Sequence, residues 1–234
     1  MEVLATGNFQ PDIIVNGLRI GEPVIALTGL LVALICFYAW QRLGRIESPS
    51  EPLKLSRLFF LFTGLSTFIG GLVGHAFLYA LPFEYKLPGW ISGMIAVSAL
   101  EQAAIVQAQW ILGQRMVKML SWINIVELTL ALWLISSSLW FPVVEIHSAF
   151  GFLLIVAPLQ WLIWRKSGAK GSTDILLGIL LLIGAVVAHI FKISMGPWFS
   201  FFDFAHLFMG AAMWKIMTGA ENSTPLRMQA ITES

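Results

Sequence analysis

The chain has 234 residues, 58% of them hydrophobic and 12% charged, with a mean hydropathy of +0.81. A composition so apolar excludes a soluble domain of this size and predicts an integral membrane protein. The formal net charge of +1 and the lack of a basic tract give no footing for a nucleic-acid partner, which leaves membrane lipid as the expected one.

Taken in order, residues 1–22 precede the first long apolar run and are expected outside the membrane. They are mixed and slightly acidic, unlike the charged-then-apolar start of a signal peptide. Within them, DIIVNGLRI places Asn16-Gly17 between two β-prone runs, which predicts a hairpin closed by a type I′ turn. Ile13, Val15 or Ile20 would then pack on the rim of the bundle. An irregular tail is the alternative.

Apolar runs of helix length, with little strand alternation, predict an all-α bundle and not a barrel. Seven spans are expected, at 23–40, 58–81, 89–112, 119–140, 142–164, 175–193 and 198–217. They make one transmembrane domain over 23–218, followed by a polar tail over 219–234. Trp40, Trp90, Trp140, Trp164 and Trp198 cluster near span ends, as an aromatic belt requires. Short connections predict antiparallel sequential neighbours. Cys36, the one cysteine, lies in a span and forms no intrachain disulfide.

Eleven Lys and Arg fall on the side of Arg42, Arg115, Arg165 and Lys215, against three on the side of Arg19, Lys86 and Lys192. The positive-inside rule then predicts an outside N-terminus and a cytoplasmic C-terminus. Short tails and the missing signal peptide suit a bacterial inner membrane.

All four histidines lie inside spans. Counted from the nearest span end at 1.5 Å per residue, His75, His147, His189 and His206 sit roughly 6–12 Å below the outer edge. Asp203 and Glu145 fall near the same level. In WFSFFDFAHLFMGAAMW (198–214), Asp203 and His206 are three apart and share a helix face. In the second span, Gly64, Thr67, Gly71 and Gly74 make a small-residue face that ends at His75 and lets a neighbouring helix come close. Deeper lie Glu101 and Glu127, with Asn124 three before Glu127 and able to hydrogen-bond to it. These two glutamates either brace the floor of a site or continue a polar path inward.

Seven spans with a histidine near the end of the second and another early in the seventh resemble the CREST superfamily, which includes alkaline ceramidases and adiponectin receptors. FDFAHLFM also looks like that group's last-helix motif. The resemblance implies an intramembrane zinc on three histidines and hydrolysis of a lipid amide or ester by a carboxylate-held water. It implicates His75 and His206 as ligands, with His189 or Asp203 third. Asp203, Glu145 or Glu101 would be the general base. This sequence departs from the family pattern at Gly71, where the family has a serine, and at Phe202, where it has a second histidine. Glu101 lies deeper than the family's aspartate, so the chain reads as a bacterial branch that keeps the fold with a changed site.

A second function stands beside the hydrolase: a proton-coupled transporter or relay using Glu101 and Glu127, since acid and histidine chains inside membranes carry protons. A haem protein with histidine axial ligands ranks third, because the histidines gather at one face.

Overall fold

The computed structural model describes residues 9–223. Seven long helices follow a short hairpin: α1 Pro23–Leu43, α2 Glu51–Ala76, α3 Leu87–Gln107, α4 Gln109–Ser138, α5 Pro142–Ser167, α6 Lys170–Ile190 and α7 Phe201–Asn222. The first six are long and apolar enough to cross a membrane, which marks an integral membrane protein. Most of the tail proposed for 219–234 lies outside the described residues, but its first residues continue α7.

Prolines open four of these helices. Pro23, Pro52, Pro88 and Pro142 each stand in a first turn, where no backbone N–H is needed for an internal bond. The stretch after Gln107 is where prediction and structure part. Residues 108–118 were expected to end one span and lead into the next. Instead α4 begins at Gln109, and Gly113, at φ 74°, kinks it in a conformation that favours glycine.

Two helices widen to π geometry, α2 over Gly70–Ala76 and α5 over Phe150–Val156. Such wide turns are frequent at functional sites. Each one here adjoins a cluster of polar side chains.

The most extensive packing is of α6 on α7 and of α2 on α3, with α1 set against both α2 and α7. Helices α1 and α7 run parallel and are fastened at both ends. Thr28 meets Asp203 at their N-terminal ends, and Arg42 pairs with Glu221 at their C-terminal ends. Lys215 of α7 also reaches Asp174 in the first turns of α6, at 3.2 Å. So α7 reaches from one end of α1 to the other.

At the N-terminal end of α1, strands β1 (Ile13–Val15) and β2 (Leu18–Ile20) pair antiparallel, with Ile13 opposite Ile20. Asn16 at φ 51° and Gly17 at φ 82° turn the hairpin, the conformation a type I′ turn demands. It is tied down by Gly21 N–H, which donates to the Ala76 carbonyl at 2.9 Å, and by Tyr79 Oη–H, which donates to the Arg19 carbonyl at 2.8 Å. Ile13 and Ile20 are half-buried, whereas Val15 is exposed because it falls at the tip.

Candidate functional site

Helices α3, α4 and α5 meet around a triad of Glu101, Glu127 and His147. Met94, Ser98 and Glu101 lie on one side of α3, since residues three and four apart share a face. Asn124 and Glu127 do the same on α4. The two helices are pinned by Asn124, whose Nδ2 donates to the Ser98 carbonyl at 2.9 Å while its Oδ1 accepts from Ser98 Oγ at 2.5 Å. Asn124 therefore does not bond Glu127, as its spacing had suggested, because Ser98 takes both ends of its amide. Glu101 and Glu127 lie on opposite sides of this pin along the helix axes. Side chains lean toward the N-terminus of their own helix, and these helices are antiparallel, so the two carboxyl groups lean toward each other.

His147 completes the cluster. Its Nδ1 lies 2.7 and 2.9 Å from the two Glu127 oxygens, and its Nε2 lies 3.0 Å from the Met94 carbonyl. A carbonyl only accepts, so Nε2 carries a proton and donates it. One further proton then sits between Nδ1 and Glu127, whichever of the two holds it. Glu101 is fully buried, and neither of its oxygens has a hydrogen-bond partner among the described residues. Donor atoms of the three residues all lie within 4.8 Å of one another. Gly151, in the π turn of α5, leaves the room Glu101 occupies: a Cβ there would stand 2.5 Å from Glu101 Oε1.

The surroundings of the triad are unequal. Glu127 has 22% of its side chain exposed and lies in an open groove of about 630 Å³, otherwise lined by Met119, Trp122, Ile123, Val126, Leu130 and Phe150. Toward the hairpin end, Met94, Ala131, Ile135 and Val143 form an apolar plug. Toward the opposite end a polar ladder descends. Gln102 Nε2 donates to Ser121 Oγ at 2.9 Å, and Gln160 Nε2 donates to Gln107 Oε1 at 2.8 Å. The ladder ends at a void of about 20 Å³ bordered by Ser50, Ser56, Gln107 and Gln160. That is room for a single water, which needs about 10–15 Å³.

A second polar cluster lies beneath the hairpin. His75 Nδ1 is 2.6 Å from Glu22 Oε2, and His206 Nδ1 is 2.9 Å from Thr28 Oγ1. The two imidazole rings lie edge to face with centroids 6.4 Å apart. The His206 ring lies against α1 at Gly29, where an added Cβ would stand 3.5 Å from its Cε1. His189 stands apart from this pair, packed against Phe201 and Phe202 at 5.1 Å each, and Phe202 also touches His75.

Among the described residues, Glu101, Glu127 and His147 are the one group of three or more side chains able to share a metal ion. His75, His189 and His206 do not fit the zinc site that the resemblance implies. Their donor atoms do not converge, His75 and His206 direct Nδ1 to Glu22 and Thr28, and phenylalanine rings surround His189.

The carboxylates expected as bases have separate fates. Asp203 is fully buried as the N3 residue of a capping box. Its Oδ2 accepts from Ser200 N–H at 2.6 Å, Ser200 Oγ at 2.9 Å and Gln10 Nε2 at 2.7 Å, while Oδ1 accepts from Thr28 Oγ1 at 3.2 Å. With both oxygens so engaged, Asp203 serves to hold structure. Glu145 is exposed, two residues from His147 and so on a different face of α5. Glu101 belongs to the triad. His147, which the resemblance left out of the ligand set, is its hub.

The chain belongs to DUF6962, a family of unknown function, whose model matches residues 24–225. That span takes in the triad and the seven helices up to the end of α7, and leaves out the hairpin. Comparison with curated proteins and with solved structures returns no match.

Proposed function

We propose that the protein is a seven-span membrane transporter or relay that takes up and releases a cation, the proton first of all, at Glu101, Glu127 and His147. The reading rests on one observation: Glu101 is buried completely, beside a second acid and a histidine, and neither of its oxygens has a hydrogen-bond partner among the described residues. A bare carboxylate in that position is costly and is relieved by a proton or a bound cation. Ionisable groups inside membrane helices that face one another are the usual substance of ion and proton pathways. The ladder from Gln102 to Gln160 supplies donors and acceptors along one half of the bundle, while the plug around Met94 closes the other.

Helix α7 serves as the seventh crossing in this reading. It parallels α1 over its full length, so it spans whatever α1 spans. The eleven-to-three division of basic residues supports a hairpin outside and a ladder end in the cytoplasm. In this reading the triad exchanges protons with the cytoplasmic side.

Infrared difference spectroscopy of wild type and Glu101→Gln tests the protonated carboxyl directly. A carboxylic acid C=O band present in wild type at neutral pH and absent from the variant is expected. In proteoliposomes holding a pH-sensitive dye, Glu101→Gln and Glu127→Gln should abolish potential-driven proton movement and Glu145→Gln should leave it intact. A wild type with no such band, and proton movement indifferent to both glutamates, would overturn the reading.

The lipid hydrolase is carried less far. Its two best histidines, His75 and His206, are neighbours, but the described residues bring them no third ligand.

A further inference from the structure

Resting on the triad as a cation site, we infer that its cargo is a divalent first-row transition ion, bound by one oxygen each of Glu101 and Glu127 and by His147 Nδ1. The geometry carries this in three ways. The donor atoms lie within 4.8 Å of one another, so a small inward movement brings each to the distance of about 2.0–2.2 Å that ligands keep from one ion. The His147 Nε2–H is spent on the Met94 carbonyl at 3.0 Å. That is how a ligating histidine is usually held, with its second nitrogen donating to a carbonyl so that the first presents a lone pair. The third feature is Glu101, whose two buried oxygens have no hydrogen-bond partner among the described residues and which offers one of them to the cluster. Gly151 preserves its place.

The donor set decides the class. Two carboxylates and one imidazole suit zinc, manganese, iron or cobalt better than soft copper(I), which prefers sulfur. Calcium takes six to eight oxygens, more than the four carboxylate oxygens of this cluster. The charges balance without help. Before binding, one proton resides on Glu101 and one between Glu127 and His147 Nδ1. A divalent ion displaces both, bonds to two carboxylates and a neutral imidazole, and leaves the buried site neutral as before. Two protons therefore leave for each ion that enters, and the inward ladder is an exit for them.

Cobalt(II) is the probe, added to purified tag-free protein in detergent and weak buffer with a pH indicator. One ion per chain, a visible spectrum of mixed nitrogen and oxygen ligation, and two protons released per ion are expected. Glu101→Gln and Glu127→Gln should each weaken binding by at least tenfold, with His75→Ala and His206→Ala without effect. Failure of wild type to bind cobalt, zinc or manganese overturns the inference. So does binding that disappears with His75 or His206 instead of the triad. If wild type binds no ion yet shows the protonated Glu101 band, the cargo is wrong and the proton reading stands. Binding with no proton release overturns the exchange and the proton reading together. Wild-type stoichiometry and proton count decide the matter even if a variant fails to fold.

Discussion

Nδ1 of His147 stands 2.7 Å from a carboxylate oxygen of Glu127, and the histidine side chain is fully buried while the glutamate keeps 22% of its own exposed. The pair joins α5 to α4, and the Met94 carbonyl joins it to α3. Removing one partner of a buried pair typically costs about 3–5 kcal/mol. Because the exposed 22% of Glu127 faces an apolar groove, which does not solvate a carboxylate, His147→Ala should fall within that range. Glu127→Gln should be milder, since its amide still donates to Nδ1. Thermal unfolding in detergent, followed by circular dichroism, ranks the two. Equal losses would mean that the pair does not hold the helices.

Gly151 separates space-filling from chemistry. A methyl group there meets Glu101 Oε1 at 2.5 Å and crowds Val97 as well. Overfilling of a packed interior costs about 1–3 kcal/mol. Gly151→Ala should lie in that range, and adding Glu101→Ala should recover part of the loss. A coupling of about 0.5–3 kcal/mol is expected for residues in contact. Strict additivity in the double-mutant cycle would show that Glu101 does not occupy the space Gly151 leaves.

Local rules made much of the fold legible, and long-range geometry hid much of the site. The Asn16-Gly17 turn was readable because it depends on two backbone conformations alone. The apolar runs disclosed the long helices, since membrane helices announce themselves by length and composition. His147 was grouped with the other histidines because depth was counted from each helix's own end. Tilted and locally widened helices do not share that zero, and α2 and α5, which carry His75 and His147, both hold π turns. Glu101 and Glu127 were noticed, but nothing in sequence spacing tells that a histidine from α5 lies between them. Asp203 had a signal that went unused. Ser200 precedes it by three, the spacing of a capping box, and starting the span at Trp198 put Asp203 inside the helix instead of in its first turn.

Asp203 consequently predicts a structural effect. Asp203→Ala removes the acceptor for Gln10, Thr28 and Ser200, all of them buried. Loss of a cap costs about 0.5–2 kcal/mol, and each buried donor left without a partner about 1–3 kcal/mol. The melting transition should drop, and amide hydrogen exchange should accelerate through residues 10–22, where Gln10 ties the chain to α7. Exchange unchanged in that segment would contradict the role given to Asp203.

Orientation can be read with thiol chemistry, because the native background is silent. Cys36 is the chain's one cysteine and is fully buried among core residues. A membrane-impermeant maleimide should therefore leave wild type unlabelled in intact cells. Asn16 is exposed at the hairpin turn, and Lys170 lies exposed at the start of α6, at the opposite end of the bundle. With the hairpin outside, Asn16→Cys should be labelled in intact cells and Lys170→Cys only after the membrane is permeabilised. Both substitutions are at exposed positions, where changes usually stay within about 0.5 kcal/mol, so neither should disturb folding. The reverse pattern would place the ladder end of the bundle outside and turn the proposed proton path around. Labelling of both in intact cells would mean that α1 to α5 do not separate two compartments, and the seven-span reading would fall with the orientation.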